Sequence, residues 1–134
     1  MVQDWIDIDG QRFNVIVTSI KESGTILYSD NTGRTLAIGA PMTLDPLGTF
    51  YNYTITVKRN GDDVDDYDRL YDYVMKPRFT GMIITAPHNQ GTIQFEAYIS
   101  AAERELKRID DKGKKVYWKE MSLTITAMKA QVTP

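Results

Sequence analysis

The chain has one histidine, His88, in the string Pro87-His88-Asn89-Gln90-Gly91, and no cysteine. A Ser-His-Asp site would need that imidazole, yet neither a Gly-x-Ser-x-Gly elbow nor an oxyanion-hole signature accompanies it. A solitary histidine in a turn is ordinarily solvated or turn-stabilising, because a catalytic base needs several placed partners. The lack of cysteine removes disulfides, thiolate ligands and a thiol nucleophile. Zinc has no second imidazole or thiolate to share it. Aspartates at 62, 63, 65, 66, 68 and 72 invite a calcium reading. They lack the sixth-position glycine and twelfth-position glutamate of an EF-hand loop, so a helix cap and a solvated face explain them better. Gly33, Gly39 and Gly48 are too dispersed for a phosphate-cradling loop. Nothing singles out a carboxylate pair for glycoside hydrolysis among the 18 acids. The residues therefore assign no catalytic group, no cofactor and no metal.

Eight tyrosines and two tryptophans could stack sugars or bases. Most of the tyrosines fall on a helix stripe or an alternating strand face, where core packing is the simpler role. Tyr28, Tyr73 and Tyr98 are the candidates for exposure, while Trp5 and Trp118 fit a sheet edge. Acid gathers at Asp62–Asp72, and base at Arg104, Lys107, Arg108, Lys112, Lys114, Lys115 and Lys119. Two such faces either stay solvated or meet head to tail between copies, which closes a ring if the rotation allows.

The elements that position these groups are mostly strands. One clear helix is expected at about 63–76: Asn60-Gly61 breaks the preceding strand, aspartates suit the first turn, and Pro77 ends it. Val64, Tyr67, Leu70, Tyr71 and Val74 recur at three- and four-residue spacing and make its apolar stripe. Asp9-Gly10 predicts a hairpin between a strand holding Ile6 and Ile8 and one holding Phe13, Val15 and Val17, with a third strand over Ser19–Tyr28. Tyr51, Tyr53, Ile55 and Val57 alternate with polar residues, as do Ile93, Phe95, Ala97 and Ile99. Phe79–Thr85 reads as an apolar strand, and Tyr117, Met121, Leu123, Ile125 and Ala127 share the parity of a long last one. Ala101–Ile109 has helical propensity but precedes a hairpin tip, Asp110–Lys114, and is assigned as strand. The pattern dissolves from Ser29 to Pro46, and a loop of that length is commonly functional.

The expected fold is mainly β with one α-helix: an antiparallel β-sandwich or partly closed barrel with a flanking helix. Its 134 residues suit a single domain over 1–130, with 131–134 as a tail. A net charge of −2 argues against an electrostatic grip on nucleic acid, which needs a basic face to displace counterions. The first ten residues lack a signal-peptide pattern, and no window has the roughly 20 apolar residues of a membrane span. The Asn52-Tyr53-Thr54 sequon is a coincidence within a strand.

Six strings recur in order in one group of proteins: Trp5–Gly10, Val17–Lys21, Gly48–Val57, Tyr67–Tyr71, Gln90–Tyr98 and Trp118–Ala127. Through them, over nearly its whole length, the chain resembles small proteins encoded among the tail and baseplate genes of phages and prophages of Gram-positive bacteria. Tail-tube proteins and the first domain of distal tail proteins share the plan of a β-sandwich with a flanking helix, often as a hexameric ring. The resemblance implies a non-enzymatic structural protein, assembled in the host cytoplasm and carried in the virion. Its implied partners are itself and neighbouring tail or baseplate proteins. A long loop contacts neighbours in such proteins, and 29–46 is its counterpart here. At 134 residues the length fits one such domain and not the second, carbohydrate-binding-like domain that the resemblance to a full distal tail protein would imply. Combined with the charge segregation, this makes Arg34, Leu36, Ile38, Met42, Leu44, Lys112, Lys114 and Lys115 the candidate subunit interface. Two rival functions are a glycan- or ligand-binding sandwich presenting exposed tyrosines, and a small hydrolase, which has no visible base–nucleophile pair.

Overall fold

The computed structural model describes residues 7–30, 32–34, 39, 41–110 and 112–134. The elements run β1 (Asp7–Ile8), β2 (Val15–Tyr28), β3 (Gly33–Arg34), β4 (Met42–Thr43), β5 (Pro46–Arg59), α1 (Val64–Val74), β6 (Met82–His88), β7 (Gly91–Ile109) and β8 (Val116–Ala127). Six strands form one antiparallel sheet in the order β1-β6-β7-β8-β5-β2, while β3 and β4 pair separately. The mainly-β fold with one flanking helix is as expected, and the sheet stays open between β1 and β2.

The sheet is rolled. Four strand steps separate β6 from β2, about 19 Å if the sheet were flat. Yet His88 Nδ1 on β6 lies 2.5 Å from Glu22 Oε2 on β2. The Tyr53 hydroxyl, projecting inward from β5, reaches both Glu22 Oε2 at 2.7 Å and the Pro87 carbonyl at 2.8 Å. Alternation decides what fills the roll. Tyr53, Ile55 and Val57 of β5, Met82, Ile84 and Ala86 of β6, Phe95 and Ala97 of β7, and Met121, Leu123, Ile125 and Ala127 of β8 are all buried. Their opposite-parity neighbours, such as Thr54, Thr56, Ser122 and Thr124, face outward.

Helix α1 lies over the concave side through Tyr67, Leu70 and Val74. Asp63 is its N-cap and accepts a bond from Asp66 N. Asn14 ties this end to the chain between β1 and β2, donating its N–H to Asp66 at 2.5 Å and its amide to Asp63 at 2.7 Å. At the other end the Arg78 guanidinium donates to the Tyr73 carbonyl at 2.6 Å, satisfying a last-turn acceptor.

Three expectations are corrected. The Asp9-Gly10 turn forms, with positive φ at both residues, and Ile8 and Gln11 bond across it. It does not join paired neighbours, however: β1 pairs with β6, and β2 pairs with β5 at the opposite edge. Asp9 explains the choice. Its backbone N–H donates to Ile83 O, while its carboxylate accepts from Ile83 N at 2.7 Å and the Tyr73 hydroxyl at 2.6 Å, pinning the turn to β6 and α1. Second, β2 is one continuous strand from Val15 with a register shift between Val17 and Ser19, not two strands. Third, Phe79 precedes β6 instead of belonging to it. Ala101–Ile109 is strand, the distal part of a 19-residue β7. Trp5 and Ile6 lie outside the described residues.

Candidate functional site

Two strand pairs outrun the core in opposite directions. β8 meets β5 only over Met121–Ile125, so β5 beyond Tyr53 toward Pro46 forms a ribbon with the second half of β2. At the other end of the sheet, β7 and β8 continue as a hairpin past Arg104 and Met121. Each arm offers a different chemistry.

The β2–β5 arm presents Ile26, Leu27, Tyr28 and Leu47 to solvent. At its end, Ser29 and Asp45 close a stem by backbone and side-chain bonds, and Thr32 Oγ1 accepts from Asp45 N at 2.8 Å. The β3–β4 pair sits above this stem, with Arg34 opposite Met42. Met42 and Leu44 are 51% and 59% exposed. Leu36 and Ile38, like the Arg34 side chain, lie outside the described residues. The last residues are not loose: Gln131 and Val132 bond to Thr49, and the Gln131 amide to the Tyr51 backbone. Gly48 permits this contact. A Cβ there would stand 2.5 Å from Ala130 Cβ, and its φ of +147° also favours glycine.

The β7–β8 arm is basic. Asp110 holds its tip by accepting from the backbone N–H groups of Lys112 and Lys114. Lys112 and Lys114 are exposed, and Lys115 is half-buried near the Tyr117 ring. Register shifts beside Leu106 twist the arm. At its root a groove of about 740 Å³ is lined by Ile16 and Trp118, four cations (Lys58, Arg59, Lys107 and Lys119), and Glu105 and Glu120. Lys119 is already paired with Glu105 at 2.7 Å.

Part of the expected charge segregation is used up inside the molecule. Asp63 and Asp66 serve the helix cap and Asn14, and Asp66 also pairs with Arg69 at 3.0 Å. Arg104 pairs with Asp68 at 2.8 Å and lies over the rings of Tyr71 and Trp118, 4.0 and 4.2 Å from their centroids. Asp62 lies 3.8 Å from the Arg59 guanidinium but keeps a 92% exposed side chain, and with Asp65 and Asp72 it projects into solvent.

Sequence reasoning missed a polar cluster at the roll's seam. His88 is not a merely solvated turn residue: its Nδ1 meets Glu22, and its ring packs on Tyr51 at 4.6 Å. The Tyr53 hydroxyl holds the Glu22 carboxyl below its ordinary range, helped by His88 and opposed by burial. Burial and the same carboxylate push the Tyr53 phenol upward. The cluster ties β2, β5 and β6 together at the seam. Tyr28 and Tyr98 are exposed as anticipated, whereas Tyr73 is half-buried and bonded to Asp9. Among the described residues no group of three potential ligands is placed to hold a metal, and no helix is long and apolar enough to cross a membrane.

No known family model matches the chain, and no curated protein matches it.

Proposed function

We propose that this chain is a non-enzymatic structural protein of a phage or prophage tail or baseplate, one that builds or joins a ring. The observation carrying the reading is the opposed pair of arms. An apolar ribbon leaves one end of the sheet and a basic hairpin leaves the other. Two-stranded ribbons are marginally stable alone in water, and exposed apolar side chains on one give it a reason to be covered. Arms at opposite ends of one body favour heterologous, head-to-tail contacts, which close into a ring where the rotation between copies allows and otherwise extend as a filament. In this reading the neighbours are copies of the chain and adjoining tail proteins, met in the host cytoplasm and kept in the virion. Negative-stain microscopy of the purified protein is the test: closed rings are expected, and particles of single-subunit size at high concentration would count against self-assembly.

A second reading, a ligand-binding module, draws on the groove at the root of the basic arm. Its volume lies within the range of ligand pockets, and Trp118 offers a stacking surface. Glycan-array binding by a stable monomer would favour it over the ring.

A further inference from the structure

One stretch of the β5 edge is left uncovered by β8, whose ladder with β5 ends at Tyr53 and Ile125. From Pro46 to Val57 the strand carries no charged residue, whereas β2 beside it has Lys21 and Glu22. Charged side chains are one way a sheet edge is kept from pairing with another chain. Here residues near the end of the chain cover the edge instead. Thr49 N donates to Val132 O at 2.9 Å, and Thr49 O accepts from Gln131 N at 3.0 Å. Gln131 then uses its side chain as a second peptide group: Oε1 accepts from Tyr51 N at 3.0 Å, and Nε2 donates to Tyr51 O at 2.9 Å. Just beyond, Asn52 Oδ1 accepts from Ala127 N at 2.8 Å.

This strap is held mainly by hydrogen bonds. The buried core ends at Ala127; Met128, Lys129, Val132, Thr133 and Pro134 are exposed, and Ala130 and Gln131 are half-buried. Segments with exposed backbone bonds and little apolar burial open at the low end of a structure's range of free energies. Each opening bares the N–H and C=O of Thr49 and Tyr51. They lie within Leu47-Gly48-Thr49-Phe50-Tyr51-Asn52-Tyr53, an uncharged run rich in strand formers. The same edge of a second copy fits it: antiparallel pairing sets no like charges opposite each other, and a twofold pair closes at two copies.

We propose that residues 128–134 form an autoinhibitory strap. Seated, it blocks a strand-addition site on β5; released, it lets β5 pair antiparallel with the same edge of a second copy. The basic arm takes no part, and the pairing does not depend on ring formation.

Native-state hydrogen exchange, read residue by residue, and sedimentation velocity from about 10 µM to about 1 mM test it together. In the wild type the Thr49 and Tyr51 amides should exchange through local opening, faster than the amide of Ile55 in the same strand. Gln131→Ala removes both bonds to Tyr51, so exchange at these two amides should quicken about tenfold in dilute solution while Ile55 is unchanged. Dimerisation of the variant should be at least about tenfold tighter than that of the wild type, because more of the chain is in the competent state. In its dimer both amides should regain protection. Wild-type amides at 49 and 51 as protected as Ile55, exchange unmoved by Gln131→Ala, or freed amides without dimers would each overturn the proposal. Rings without a strap-dependent dimer would overturn it and leave the tail reading standing, and strap-dependent dimers without rings do the reverse.

Discussion

His88 and Glu22 stand 66 positions apart in sequence and 2.5 Å apart in space, Nδ1 to Oε2. Their contact bridges β6 and β2, which four strand steps separate within the sheet. The same carboxylate oxygen accepts the Tyr53 hydroxyl, so one acid draws three strands together. At short range, a carboxylate accepting two bonds is favoured in its ionised form.

The acid limb of stability should report this. Tyr53 foremost, and His88 after it, lower the folded pKa of Glu22. In the window below its unfolded value the unfolded chain binds more protons, so stability rises with pH there. It is fully present above the unfolded pKa and lost as pH falls through the folded one. Urea denaturation between about pH 5 and pH 3 should therefore show a steeper loss for the wild type than for Glu22→Gln, which cannot ionise. Asp66, lowered by Arg69 and by the Asn14 N–H, contributes with the same sign, so some slope should remain in the variant. Parallel profiles would exclude Glu22 as a source of the acid loss.

His88→Ala should cost about 1 kcal/mol, the net value of one hydrogen bond at a partly exposed site. Residues sharing one network are not additive. His88→Ala combined with Glu22→Gln should thus cost less than the two single losses together. A double-mutant cycle by equilibrium unfolding measures this directly, and strict additivity would show that the pair does not interact.

Leu70 is 3% exposed at the centre of the helix stripe. Leu70→Ala should cost roughly 2–5 kcal/mol, through lost contacts and the cavity left behind. Thermal unfolding checks it, and an unchanged melting temperature would show that the stripe is not core.

What could be read from the residues was what local rules govern. Asp63 caps α1, and Tyr67, Leu70 and Val74 turn inward at three- and four-residue spacing, because cap chemistry and helical period act within a few residues. The alternation of Tyr53, Ile55 and Val57 likewise survives into the core. The partner of β1 could not be read, because Asp9 bonds to Ile83 and Tyr73, more than sixty residues away. Glu22 and Tyr53 face each other in the β2–β5 register, but His88 joins them only through the roll of the sheet. The aspartate run read as a cap and a solvated face; which acids stay solvated was set by long-range contacts of Asp63 and Asp66 with Asn14 and of Asp68 with Arg104.

That division sharpens the assembly prediction. If the basic tip of one copy meets the acidic helix end of another, the acids available are Asp62, Asp65 and Asp72. Association into species larger than dimers should then weaken with salt, as the Debye length shrinks from about 10 Å at 0.1 M to about 3 Å at 1 M. Lys112→Glu, Lys114→Glu and Lys115→Glu together would set like charges against those acids and oppose ring closure. Met42 and Leu44, the exposed apolar residues described in the 29–46 segment, should contribute a part that salt does not weaken. Deleting 33–44 removes both while keeping Ser29, Thr32 and Asp45, whose mutual bonds close the stem. The monomer should stay folded and assembly should be abolished, since a loop beyond a closed stem tolerates deletion better than a strand. Light scattering on the wild type and these two variants is the measurement. A wild type that forms nothing larger than a dimer at high concentration and low salt would refute self-assembly, leaving only assembly templated by another tail protein.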